Sequence, residues 1–153
     1  ALMNQAKIGD TVVIWGAVLG CETAISLAEA GKTVTVIGSQ RFEQFASGIS
    51  PIRIPWVITR MMGLLSEGKL MASSETKVEN ITSEGVITVD PQGNKQTIPA
   101  DTVIIALGRR PNRELVEALR GKVPELHEIG DCVKPRAIDH AIQEANYVVR
   151  CRI

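Results

Sequence analysis

The sequence predicts an α/β domain: a parallel sheet with helices on both faces, joined by an antiparallel β-meander. Three observations carry this. Residues 11–38 read as strand, small-residue turn, helix and second strand; residues 69–98 break into short strands punctuated by turns; and Thr102–Leu107 is again a continuous apolar run. β-Branched runs that do not alternate in polarity mark parallel strands covered on both sides.

In the opening unit, Val12, Val13 and Ile14 form the first strand. Cys21, Ala24, Ile25 and Ala28 then recur at helical spacing, Gly31 stops the helix, and Thr33 to Ile37 is the second strand. The turn of such a unit aims backbone N–H groups and the positive end of the helix dipole at an anion. A dinucleotide pyrophosphate is the usual guest, so the unit is expected to be a Rossmann-like NAD(P) domain. The G-x-G-x-x-G fingerprint is imperfect. With Gly20 as the last glycine, Trp15 stands at the first position and Ala17 at the second; with Gly16 as the first, the loop is one residue short. The first glycine permits the tight turn and the second lets the backbone approach the pyrophosphate. Ala17 adds a methyl group there and Trp15 a whole indole. Two readings stay open: a working dinucleotide site, or a retained fold whose pocket is lost or altered.

An acid after the second strand would bind the adenosine ribose, whereas small and basic residues tolerate a 2′-phosphate. Gly38-Ser39-Gln40-Arg41 therefore leans toward NADP, unless Arg41 is only a solvated loop cation. Residues 42–54, with Gly48, Pro51 and two serines between them, read as a mobile connection over the cofactor edge. Pro55 opens a second helix in its first turn; Trp56, Val57, Met61, Leu64 and Leu65 are its apolar side, and Gly68 ends it. Lys69–Ala72 is a third parallel strand. Thr76–Ile81, Gly85–Val89 and Lys95–Ile98 make the meander, with Asp90-Pro91-Gln92-Gly93-Asn94 as hairpin turn. Thr102–Leu107 is a fully buried strand running into Gly108-Arg109-Arg110-Pro111-Asn112. Pro111 holds Arg110 extended, so the next helix waits for Asn112 to cap Arg113–Leu119. Leu126–Ile129 is a last short strand, followed by Gly130-Asp131. Arg136–Arg150 is a helix with Ile138, Ile142, Ala145 and Val149 on one side.

Seventeen basic side chains balance seventeen acidic ones, so no global field recruits nucleic acid or an anionic membrane. No apolar run approaches the roughly 18 residues of a membrane span, and cytoplasm is the default location. Cys21, Cys132 and Cys151 are scattered and support neither a disulfide framework nor a metal knuckle; Cys21 reads as a small buried apolar residue. His127 and His140 lack partners at ligand spacing. The sequence begins at Ala1 with about ten residues before the first strand, which suggests a piece of a larger protein preceded by linker or appended residues.

Three stretches carry a resemblance: Gly20-Cys21-Glu22-Thr23-Ala24, the run Ala100 to Asn112, and Ile129-Gly130-Asp131-Cys132-Val133-Lys134-Pro135-Arg136. Together they resemble the C-terminal portion of the flavoproteins related to 2,4-dienoyl-CoA reductase, 2-enoate reductase and trimethylamine dehydrogenase, a module similar to glutathione reductase. The resemblance implies a pyridine-nucleotide domain over residues 11–122 and a piece of a flavin-binding domain over 123–153. It implies that Gly16, Ala17 and Leu19, with Gly20 behind them, face the pyrophosphate. Ser39, Gln40 and Arg41 would then face the adenosine end, and Leu107 and Gly108 the nicotinamide side. Asp131 would hold the ribityl or phosphate region of a flavin. The implied chemistry is hydride transfer from NAD(P)H to FAD, then single electrons through an iron-sulfur cluster to FMN in the full-length parent. The upstream flavin half is not in this chain, so FAD binding and catalysis by the chain alone are not expected. The alternative, also within the resemblance, is an ADP-binding or structural module without turnover. Expected partners are the remaining domains of the same polypeptide, with self-association through an uncovered apolar face near the last helix.

Overall fold

The computed structural model describes residues 6–152, so the first half of the expected leading segment 1–10 lies outside the described residues. The chain forms two compact units that meet in sequence between Gly108 and Arg109.

The first unit is built on strands β1 (Thr11–Trp15), β2 (Thr33–Ile37), β3 (Leu70–Ser73) and β7 (Thr102–Ile105), all parallel and ordered β3-β2-β1-β7. Helices α1 (Ala17–Glu29) and α2 (Ile54–Ser66) connect β1 to β2 and β2 to β3. Between β3 and β7 lies the antiparallel meander β4 (Lys77–Thr82), β5 (Gly85–Val89) and β6 (Lys95–Pro99), in the order β4-β5-β6. The α/β class is as expected, but its covering differs. Both helices pack on one face, where Val12, Ile14, Val34, Val36 and Leu70 meet Cys21, Ala24, Ala28, Val57, Met61 and Leu64. The other face, with Val13 and Ile37, is covered by Val86 and Ile98 of the meander instead of a helix. β1, β2 and β7 thus split their apolar residues between two cores, which is why polarity does not alternate along β1 and the end of β2. Each fully buried aliphatic chain here contributes roughly 1.5–3 kcal/mol of hydrophobic free energy.

α1 can lie close to the sheet because its buried side is almost all small: Ala17, Gly20, Cys21, Ala24 and Ala28, with Ile25 the exception. Both helices of this unit stop where the glycines foretell. The N–H of Gly31 donates to Ala28 O and that of Lys32 to Leu27 O; Gly68 and Lys69 repeat the pattern on Leu65 and Leu64. This is the paired closure of a Schellman motif.

Three expectations for this unit are corrected. Residues 42–54 are not a loose connection: a 3₁₀ turn (Phe42–Gln44) leads into Phe45 and Ala46, both fully buried in the helix-side core. Trp56 is mostly exposed; Val57, Met61 and Leu64 are the buried stripe of α2. β7 is the outer strand of the sheet and ends at Ile105, 61% exposed, so it is not fully buried.

The start of β1 is held by a carboxylate that its sequence position does not advertise. Asp101 Oδ2 accepts the N–H groups of Asp10 at 2.9 Å and Thr11 at 3.1 Å, while Gly9 N–H donates to Thr102 Oγ1 at 2.9 Å. The Thr11 N–H, more than any other neighbour, holds the Asp101 carboxyl below its ordinary range. A carboxyl depressed on folding stabilises above its unfolded pKa and loses that contribution as pH falls through its folded value. Asp101→Asn is therefore expected to lower the melting temperature at pH 7 and to flatten the acid limb of a stability-versus-pH profile. An unchanged acid limb would remove Asp101 from this role.

In the second unit, α3 (Glu114–Leu119) has Arg113, not the expected Asn112, at its N-cap; Asn112, one residue earlier, accepts the Glu114 N–H on its Oδ1 at 3.0 Å. Arg113 and Arg120 flank it and reach Glu128 at 2.6 and 3.0 Å. The expected strand Leu126–Ile129 does not form among the described residues. Ile129 is extended, but its neighbourhood is held by these ion pairs and not by a ladder. α4 (Ile138–Cys151) starts two residues later than expected. Its polar side is tied down at Glu144, which accepts the Gly130 N–H at 2.7 Å and pairs with Arg136. The Gly130 N–H first, then Arg136, pull the Glu144 carboxyl below its usual range. The apolar side is open, with Ile138 80% exposed and Ile142, Tyr147 and Val149 also exposed.

Candidate functional site

The turn between β1 and α1 is built on Gly16, which adopts φ 115° and ψ 87° as the N-cap of α1. Its N–H donates to Ile37 O at 2.9 Å, and its carbonyl accepts the Gly20 N–H at 3.0 Å. A Cβ at this residue would run into the Ala106 carbonyl, so the left-handed backbone and the close approach both demand glycine. No side chain caps the helix. Among the described residues, the N–H groups of Ala17, Val18 and Leu19, the first three of α1, have no protein acceptor. They are the orphan donors of a helix start, clustered at its positive end.

Ala17 fits into this turn without crowding it. Its methyl is buried and points toward the space beside Gly38 and Phe45. Trp15 is half-buried at the end of β1, paired in register with Ile37 of β2 and Ile105 of β7. Side chains alternate along a strand, so Trp15 shares the meander face with Val13, opposite Ile14 and α1.

The structure gathers most of the expected residues along the carboxyl ends of the parallel strands, where open α/β sheets bind ligands. Gly16, Ala17, Leu19 and Gly20 follow β1. Leu107 and Gly108 follow β7; Ala106 N–H donates to Trp15 O at 2.7 Å, Leu107 is 59% exposed, and Gly108 has open space around its Cα. Gly38, Ser39, Gln40 and Arg41 follow β2. Asp131 belongs to the second unit, where Arg109 reaches its Oδ2 at 2.7 Å and the Arg136 N–H its Oδ1 at 3.2 Å.

Two features were not foreseen. The loop after β3 is laced to the one after β2: Glu75 N–H donates to Gln40 O at 2.9 Å and Thr76 N–H to Gly38 O at 3.0 Å. Glu75 is the one non-glycine residue with positive φ among the described residues, at 51°, and its Oε1 lies 3.6 Å from Arg41 Nε. Nothing in Ser73-Ser74-Glu75-Thr76 announces a left-handed residue. The second feature is Glu22 on α1, whose Oε1 is buried and lies 2.7 Å from a terminal nitrogen of Arg53, a close ion contact without hydrogen-bond alignment. With the Gly48 backbone packed on Val18, it straps residues 42–54 onto α1. Cys21, one residue before Glu22, donates to Ala17 O at 2.9 Å; burial first, then the Glu22 charge, push its thiol up to about 12. It is inert packing, as expected.

An open cavity of about 450 Å³ lies in the second unit, lined by Ile129, Val133, Tyr147, Val148 and the side chains of Glu128, Gln143 and Glu144. It contains none of the expected coenzyme residues.

Residues 2–145 match the family described as pyridine nucleotide-disulphide oxidoreductase. The chain belongs to that family. Among its relatives, the metal reductase of Desulforamulus reducens is 34% identical over 168 residues, covering 94% of this chain and 25% of its own length. The bilirubin reductase of Mediterraneibacter gnavus is also 34% identical, over 94% of this chain and 22% of its own. Among solved structures, 2-naphthoyl-CoA reductase superposes with TM-score 0.77 at 27% identity, covering 99% of this chain and 22% of the other. Histamine dehydrogenase from Rhizobium sp. 4-9, at 20% identity and TM-score 0.72, covering 95% of this chain and 24% of its own, shares the fold. The chain spans a quarter or less of the length of these relatives. The resemblance to flavin-dependent enoate and dienoyl-CoA reductases read from the sequence stands. No helix among the described residues is long and apolar enough to cross a membrane.

Proposed function

We propose that this chain is the coenzyme-carrying part of a larger flavin oxidoreductase, and that it seats NAD(P)H and presents its nicotinamide for hydride transfer to FAD. The observation that carries the reading is the turn at Gly16: a left-handed cap, no side chain on the helix start, and three unclaimed N–H groups. These residues fit a pyrophosphate, because the donors need an anion and the helix dipole favours one. Ala17 and Trp15 do not stand against it, since the methyl points to Gly38 and strand alternation sends the indole to the meander face. In this reading the adenosine lies over the loops after β2 and β3, and Leu107 and Gly108 border the nicotinamide.

When bound, the coenzyme supplies the hydride; the chain binds and orients it and contributes no proton donor or nucleophile of its own. The relatives' reductase names support the redox class. The open side of α4 is where the remaining domains of the same polypeptide would pack, and FAD, FMN and an iron-sulfur cluster belong to that whole.

Calorimetric titration of the purified chain with NADH, NADPH and ADP tests the reading. A reduced coenzyme is expected to bind saturably and at least about tenfold more tightly than ADP, the added half of the dinucleotide supplying the difference. ADP binding as tight as either coenzyme would make the chain an ADP module. No binding by a folded chain would leave the architecture as a scaffold alone.

A further inference from the structure

The adenosine end of the site lacks the acid expected at the end of β2, and the packing shows why it cannot be there. A Cβ on Gly38 would lie 2.7 Å from Phe45 Cε1 and 2.9 Å from the Ala17 methyl, so no carboxylate side chain fits at that position. The adjoining strand connection instead brings an acid, Glu75, to this loop. Glu75 is pinned beside the β2 loop by two backbone hydrogen bonds, through its own N–H to Gln40 O and that of Thr76 to Gly38 O. Its backbone takes an uncommon left-handed conformation there, and its carboxylate faces Arg41 across 3.6 Å.

We infer that Glu75 replaces the missing acid as the coenzyme-selecting residue, and that the Arg41–Glu75 pair tunes this site to NADH and against NADPH. The inference rests on the coenzyme reading above. A 2′-phosphate brings a charge near −2 to the rim. Arg41 alone would attract it, as the sequence suggests. With Glu75 beside it, the arginine charge is already answered, and the carboxylate repels the phosphate while it can still accept a hydrogen bond from a ribose hydroxyl. The selectivity is therefore built from repulsion as much as attraction. Both side chains are solvent-exposed, so the effect is one of discrimination and not of fold stability.

The test is calorimetry of the full 153-residue chain with NADH and NADPH, alongside Glu75→Gln and the double variant Glu75→Gln, Arg41→Gln, with circular dichroism melts as fold control. The parent chain is expected to prefer NADH by about tenfold. Glu75→Gln should raise NADPH affinity several-fold while NADH affinity stays level or falls, and adding Arg41→Gln should erase the NADPH gain. Tighter NADPH binding by the parent chain, or a Glu75→Gln change equal for both coenzymes, overturns the inference and leaves coenzyme binding intact. If the folded parent chain binds neither, the coenzyme reading falls and this inference with it.

Discussion

Gly16→Val is expected to lose about 2–5 kcal/mol of stability and most of the coenzyme affinity together. A β-branched residue at φ 115° pays roughly 1–2 kcal/mol for the left-handed backbone, and relieving the collision with the Ala106 carbonyl adds about 1–3 kcal/mol. For a chain of this size that is a melting temperature lower by roughly 5–15 °C. The affinity loss follows because Gly16 places the N–H groups of Ala17, Val18 and Leu19, and any shift that frees its new side chain moves those donors. Thermal melts followed by circular dichroism and coenzyme titration of whatever remains folded check both parts. A variant with unchanged melting and affinity would show that the turn is not fixed by this residue.

Phe45→Ala is expected to be nearly as damaging, at about 3–5 kcal/mol, the range for truncating a buried phenylalanine. Phe45 is fully buried, stacks on Phe42 in a tilted arrangement with ring centroids 5.4 Å apart, and closes over Gly38. Removing the ring opens a void beside Gly38 and takes away a contact that holds residues 42–54 in the helix-side core. Limited proteolysis should then cut within that segment before the rest of the chain, and melting should fall in step. Cleavage no faster than in the parent chain would mean that the Glu22–Arg53 contact and the Gly48–Val18 packing hold the segment without the ring.

How much of this was legible beforehand depends on whether the deciding neighbour is near in sequence. β1, α1 and β2 follow from local pattern, because small residues, β-branched runs and a terminal glycine each act within one or two turns of the chain. The Asp90–Asn94 hairpin turn is local too: Asp90 accepts the N–H groups of Gln92 and Asn94 at 2.9 and 2.8 Å. Residues 42–54 misled for the opposite reason. Gly48, Pro51 and the serines do signal irregular backbone, yet Phe45 and Ala46 are buried by α1, α2 and the sheet, which no window around them contains. In the bare glycine fingerprint Trp15 is an obstruction, but β1 has a parallel neighbour on each side, and that pairing fixes which face the indole takes. Glu75 was invisible because its partners, Gln40 and Arg41, lie over thirty residues away in sequence.

The buried thiol of α1 gives the molecule a built-in gauge of its own breathing. Alkylating reagents attack the thiolate, and Cys21, pushed up to about 12 and sealed against the sheet, offers almost none at neutral pH, whereas Cys151 is exposed. Modification of Cys21 therefore has to wait for α1 to leave the sheet, and its rate reports how often the packing beneath the Gly16 turn opens.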